Sequence, residues 1–154
     1  MNKLIMILAT GFYSGLLPKA PGTWGSLVAI LLWLPLRGLS LPHYLLMLLL
    51  VFILGFLVAG TAEKLMNRPD AGAIVIDEIL GMFITLMFAP NHPMAWFIGF
   101  IFFRIFDIWK PAPVSWFDQH MHGGLGIMLD DVMAGIYALA SLQLFWFFFG
   151  DFLI

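Results

Sequence analysis

Six ionisable residues stand close together in stretches that are otherwise apolar: Asp77 and Glu78, Arg104 and Asp107, Asp130 and Asp131. A charge inside a membrane-spanning stretch costs roughly 2.5–3.5 kcal/mol on insertion scales, so such residues face a protein interior or a wet cavity and mark function. Five of the six are carboxylates, and the chain has no cysteine and no histidine pair spaced for one helix face. That donor set is hard oxygen, which suits Mg²⁺ first and Mn²⁺ second. Asp77, Glu78, Asp107, Asp130 and Asp131 are therefore the candidate metal ligands and the candidate catalytic groups. Adjacent carboxylates on a helix point about 100° apart, so one of each adjacent pair is expected to touch a given ion.

Arg104, Asp107 and Lys110 are spaced i, i+3, i+6, one stripe along a helix that Pro111 then stops. A stripe of plus, minus, plus makes a wall for phosphate and metal: Arg104 and Lys110 hold phosphate oxygens, Asp107 a cation. GGLG at 123–126 leads into the stretch carrying Asp130 and Asp131. There Gly123 and Gly124 would let backbone N–H groups approach an anion at a helix N-terminus. PGTWGS at 21–26 is a second turn of the same kind. Plainer readings stand beside these. Asp77 and Asp130 could complement a helix dipole, and Arg104 with Asp107 could be a structural ion pair. His120 and His122 read as loop residues, His43 and His92 as spectators in the opposite turns. No serine or threonine has a base at a diagnostic spacing.

The elements that must position these groups are apolar. The chain has 154 residues, 62% hydrophobic and 10% charged, with a mean hydropathy of +1.01. A soluble domain is about 25% charged, so this chain cannot cover itself with a polar surface. Seven Lys and Arg against nine Asp and Glu, with no basic run, exclude a nucleic-acid binder. Continuous Leu-rich stretches disfavour a β-barrel. Apolar residues 4–9 are too few for a signal-peptide core. The apolar windows 27–36, 44–60, 73–89, 94–109 and 127–149 predict an all-α, polytopic integral membrane protein. It has about five short or tilted helices in a single domain over 1–154, with no internal repeat.

The connections alternate in character. Those at 37–43 and 89–93 are short and plain. Those at 18–26, 61–72 and 110–126 are longer and carry most of the polar groups. Alternate connections of a threaded chain share a side, so the rich segments are expected on one face. That face carries Lys19, Lys64, Arg68 and Lys110, with Arg104 close by, against Arg37 alone on the other. Lys and Arg mark the cytoplasmic side, so the site is expected to face the cytoplasm.

Three stretches together resemble the phosphatidylglycerophosphatase A family: LPKAPGTWGS at 17–26, VIDEILGM at 75–82, and FFRIFDIWKPAPVSWFD with GGLGIMLDDVMAG across 102–135. The matching positions include Lys19, Pro21, Gly22, Thr23, Asp77, Glu78, Arg104, Asp107, Lys110, Pro111, Asp118, Gly123, Gly124, Asp130 and Asp131. The resemblance implies a Mg²⁺-dependent lipid phosphatase of the bacterial cytoplasmic membrane. Its substrate would be the phospholipid phosphatidylglycerophosphate, with Lys19, Thr23, Arg104, Lys110, Gly123 and Gly124 on the substrate side. The KxxxxxxRP and SxxxH elements of phosphohistidine phosphatases are missing, as is the DxDxT/V element of the haloacid-dehalogenase route. Metal-assisted attack of water on phosphorus remains. The alternative is a small cation transporter or channel lined by intramembrane carboxylates.

Overall fold

The computed structural model describes residues 2–69 and 71–153. All regular structure among them is helical: α1 (Asn2–Ala9), α2 (Pro21–Trp33), α3 (Leu41–Leu65), α4 (Ile76–Thr85), α5 (Pro93–Trp109), α6 (Val114–His120) and α7 (Gly123–Phe149). Proline opens α2, α3 and α5, where its missing N–H is lost at no cost. The His92 side chain caps α5 by accepting from the Met94 amide at 3.3 Å. Among the described residues, α3 and α7 are the two helices long and apolar enough to cross a membrane.

The organising element is a short apolar helix, α4. Apart from Asp77 and Glu78, every residue of α4 is buried. Its ten residues rise about 15 Å, half of a bilayer's roughly 30 Å core. It survives there because α2, α3, α5 and α7 enclose it. The outer flank of α3 has the opposite character: Leu45, Leu46, Leu49, Leu50, Ile53 and Leu57 are 45–57% exposed. A continuous apolar flank of that kind is a surface for lipid.

Helix α7 packs against α3, α4, α5 and α6, and glycines set how closely. A Cβ on Gly135 would lie 2.6 Å from the Gly81 carbonyl oxygen, and one on Gly81 would lie 2.9 Å from the Asp131 carbonyl oxygen. The backbones of α4 and α7 therefore touch, a small-residue crossing of the kind that lets membrane helices approach. The Thr85 hydroxyl donates across the same contact, to the Gly81 carbonyl at 2.8 Å and the Gly135 carbonyl at 3.5 Å.

The connections segregate as their composition predicts. At one end Arg37 donates to Asn91 at 2.6 Å and lies over the Trp96 ring, joining the two plain turns. At the other, the backbone of Gly15 abuts Ala73, Pro21 approaches Gly72, and residues 63–69 meet 121–123 around a cavity. The segment 110–126, expected as a loop, contains a helix of its own, α6. Its polar and aromatic residues form about two turns that pack on α7.

Candidate metal centre

Two short sequence units build the centre. In α4 Asp77 precedes Gly81 by four residues, and in α7 Asp131 precedes Gly135 by four. Residues four apart share a helix face, so the glycine crossing places each acid one turn away, on the contact side. The result is a group of three carboxylates, Asp77, Glu78 and Asp131, each offering one oxygen within 4.8 Å of the others. This group could hold a metal ion. Asp77 Oδ1, Glu78 Oε2 and Asp131 Oδ2 are all buried without a hydrogen-bond partner among the described residues. Unpaired buried carboxylate oxygens are costly, and a divalent cation is the partner that relieves all three together. The donor set is all oxygen, so the residues fit Mg²⁺ or Mn²⁺.

Around the three acids lies a half-buried shell of charge. Arg104 donates to Asp107 at 2.5 Å and stands 4.0 Å from Glu78. Its Nε is buried and unpaired among the described residues, so the guanidinium keeps donor capacity beside the carboxylates. Asp107 interacts with both Glu78 and Asp131. The first turn of α2 closes the site from above. A Cβ on Gly22 would strike Glu78 Oε1 and lie 2.8 Å from the Arg104 guanidinium, so only glycine lets the α2 backbone rest on that pair.

Lys110 departs from the expected stripe. It ends α5 in a left-handed conformation, φ 48°, which swings it off the helix face. Its ammonium donates to Asp118 of α6 at 2.5 Å and to Asp130 of α7 at 2.7 Å. Burial works against this ammonium, but the hydrogen bonds to Asp118 and Asp130 outweigh it and hold Lys110 above the usual lysine range.

The structure treats the two adjacent acidic pairs differently. Both members of the 77–78 pair offer an oxygen to the centre, because the group is reached from the first turn of α4, where the helix end leaves both sides open. Of the 130–131 pair only Asp131 does so. Asp130 pairs with Lys110, accepts the Asp131 amide at 3.0 Å and lines the neighbouring cavity. Nor does Asp130 start its helix: α7 begins at Gly123, two turns earlier, so a dipole role is excluded for it.

The GGLG segment is the first turn of α7 and not a loop ahead of it. Gly124 is pressed against the Phe56 carbonyl and lies 3.0 Å from the Gly60 amide of α3 if given a Cβ. Its reason is helix packing. Gly123, with φ +68°, is the one that opens onto the cavity. Lys19 is exposed and lies outside the charged shell, and Thr23 is half-buried one residue past Gly22. His120 stacks on Trp116 at 4.9 Å, while His122 lines the cavity.

The cavity encloses about 250 Å³ between the end of α3, α6 and the start of α7. Asp118 and Glu63 stand on its wall. Glu63 was expected from its position to end a helix on the side of the other acids, and Asp118 matches the family motif. Gly22 matches the family motif, whereas Gly81 and Gly135 were silent, and the signal that could have found these two is the repeated spacing of an acid followed by glycine four residues later.

Among the described residues all regular structure is helical, two helices are long and apolar enough to span a membrane, and three carboxylates beside an arginine could hold a metal ion, which defines a class: helical membrane proteins with an acidic cluster. Comparison with known proteins narrows it. Residues 7–146 match the family model described as phosphatidylglycerophosphatase A, and the chain belongs to that family. It is 45% identical over 137 residues to a phosphatidylglycerophosphatase A of Escherichia coli K12, covering 88% of this chain and 80% of that one. A phosphatidylglycerophosphatase A of Haemophilus influenzae is 43% identical over 137 residues, covering 88% and 84%. No solved structure matches the chain.

Proposed function

We propose that this protein is a membrane lipid phosphatase, a phosphoric monoester hydrolase that converts phosphatidylglycerophosphate to phosphatidylglycerol and inorganic phosphate. The observation that carries the reading is the trio of half-buried Asp77 and Glu78 with buried Asp131, each offering one carboxylate oxygen within 4.8 Å of the others, beside Arg104. Membership of a family named for this activity supports the substrate. It also weighs against the transporter alternative, as does the gathering of the acids at one end of the helices.

Asp77, Glu78 and Asp131 would hold Mg²⁺, which when bound neutralises the charge of the monoester phosphate and favours attack of water. Arg104 presents its guanidinium to the non-bridging oxygens, with Asp107 fixing its plane at 2.5 Å. A carboxylate of the cluster accepts a proton from the attacking water as the new P–O bond forms. The bond from phosphorus to the glycerol oxygen breaks, and that oxygen leaves as the free hydroxyl of phosphatidylglycerol after taking up a proton. Lys110, fixed between Asp118 and Asp130, adds positive charge next to the developing negative charge. Lys19, Thr23 and Gly123 stand at the margins on the substrate side. The charge bias of the connections supports a multi-pass arrangement in the bacterial cytoplasmic membrane with the centre open to the cytoplasm.

The test is phosphate release from the purified full chain in mixed micelles of phosphatidylglycerophosphate, with Mg²⁺ and again after EDTA. Release with Mg²⁺ that disappears in EDTA is expected. No release in Mg²⁺ overturns the phosphatase reading, and undiminished release in EDTA overturns the metal's part in it.

A further inference from the structure

The centre accounts for one phosphate, yet the proposed substrate carries two: a terminal monoester and, three carbons away across a glycerol, a phosphodiester joining the headgroup to the diacylglycerol. The cavity beside the centre has a direction. Buried Asp130 and exposed Asp118, the two residues that grip Lys110, both line it. Its wall continues through Glu63, His122 and Gly123. Those same three residues line an adjoining groove of about 330 Å³ that adds Lys64 and Arg68 at its outer end. The two hollows share Glu63, Pro69, His122 and Gly123, and together they run from Asp130, the chain neighbour of Asp131, to a pair of cations.

We infer that this path is a headgroup subsite in which Lys64 and Arg68 bind the internal phosphodiester and so select lipids that carry it. The inference rests on the phosphatase reading above. The order of chemistry along the path matches the order of groups in the ligand. The monoester lies at Arg104 and the carboxylate centre. The glycerol hydroxyl then meets carboxylate acceptors on Asp118 and Glu63, each with room for more than one hydrogen bond. The diester anion reaches the outer cations. The local fold explains why two cations meet there. Lys64 is in the last turn of α3, and the chain then reverses through Asn67 at φ 49°. The Arg68 amide closes this turn on the Glu63 carbonyl at 3.3 Å, which brings Arg68 back beside Lys64. Both side chains are exposed at the mouth, where a lipid headgroup enters while its acyl chains stay against the apolar flank of α3.

The test uses the full chain in mixed micelles and two substrates: phosphatidylglycerophosphate, with both phosphates, and phosphatidic acid, with the monoester alone. Lys64→Gln and Arg68→Gln are combined, which removes the charge and keeps the side-chain length. The double variant should raise KM for phosphatidylglycerophosphate about fivefold, with kcat within about twofold, because contacts between exposed charges are worth at most on the order of 1 kcal/mol. Its KM for phosphatidic acid should stay at the wild-type value. An unchanged KM for phosphatidylglycerophosphate overturns the inference, as does an equal rise on both substrates, which would report general attraction to an anionic surface. Wild-type protein that is inactive on phosphatidylglycerophosphate would instead defeat the phosphatase reading itself.

Discussion

Gly135→Ala tests whether the crossing of α4 and α7 sets the geometry of the carboxylate centre. The added Cβ would lie 2.6 Å from the Gly81 carbonyl oxygen and 3.1 Å from the Gly81 Cα. These are backbone atoms, which cannot rotate away as a side-chain tip can. Reaching about 3.3 Å, the short end of C···O contacts, parts the helices locally by roughly 0.7 Å. Asp131 and Asp77 sit one turn from this contact on opposite sides of the gap, so most of that opening passes into the trio. Functional constellations tolerate about 0.5 Å and metal–ligand distances about 0.2 Å. A displacement near 1 Å costs on the order of 10²-fold in rate. Overpacking of this kind also costs about 1–3 kcal/mol of stability, so the folded fraction is measured alongside. The assay is phosphate release as a function of Mg²⁺ concentration, with a thermal melt in the same detergent. The expected result is a folded protein needing more Mg²⁺ and turning over at least tenfold more slowly. Gly38→Ala, where nothing lies within 4 Å, should behave as wild type. A folded Gly135→Ala with wild-type rate and Mg²⁺ dependence would refute the reasoning.

Other changes probe the same site from different sides. Asp131→Asn and Asp77→Asn keep volume but remove a charge from the trio, and should lower turnover by orders of magnitude while the melt stays near wild type; folded variants that retain full activity would exclude these carboxylates as ligands. Arg104→Lys keeps the charge but loses the planar fork. It should cost on the order of 10²-fold in kcat with the Mg²⁺ dependence unchanged, and a shifted Mg²⁺ midpoint would argue for a role in building the metal site instead. Gln119→Cys places a thiol on exposed α6 of a chain with no cysteine. An impermeant maleimide should label it in inverted vesicles and not in intact cells, and the reverse pattern would invert the proposed sidedness.

Much of this protein was legible before any coordinates. Apolar composition announces helices in lipid, because few other backbones satisfy their own hydrogen bonds there. Prolines at 21, 42 and 93 mark three helix starts. Carboxylates in apolar stretches identify the ingredients of the centre, because their burial is too costly to be incidental. The grouping of connections into a polar and a plain end follows from threading alone.

Which acid does what was decided only by tertiary structure. Asp130 and Asp131 are neighbours in sequence with the same chemistry. The rotation of α7 against α4 sends Asp131 into the carboxylate cluster and Asp130 to Lys110. Lys110 falls on the Arg104–Asp107 stripe by spacing, yet a left-handed cap at the end of α5 turns it toward α6. The glycines at 22, 81, 124 and 135 carry no charge and no periodicity. Their meaning is a distance of approach between backbones, set by the packing partner across the gap. Sequence therefore determined the chemistry available and its depth in the membrane, since both follow from residue type and local hydropathy. The assignment of partners needed the fold, because it depends on helix rotation and on sub-ångström contacts between segments that are distant along the chain.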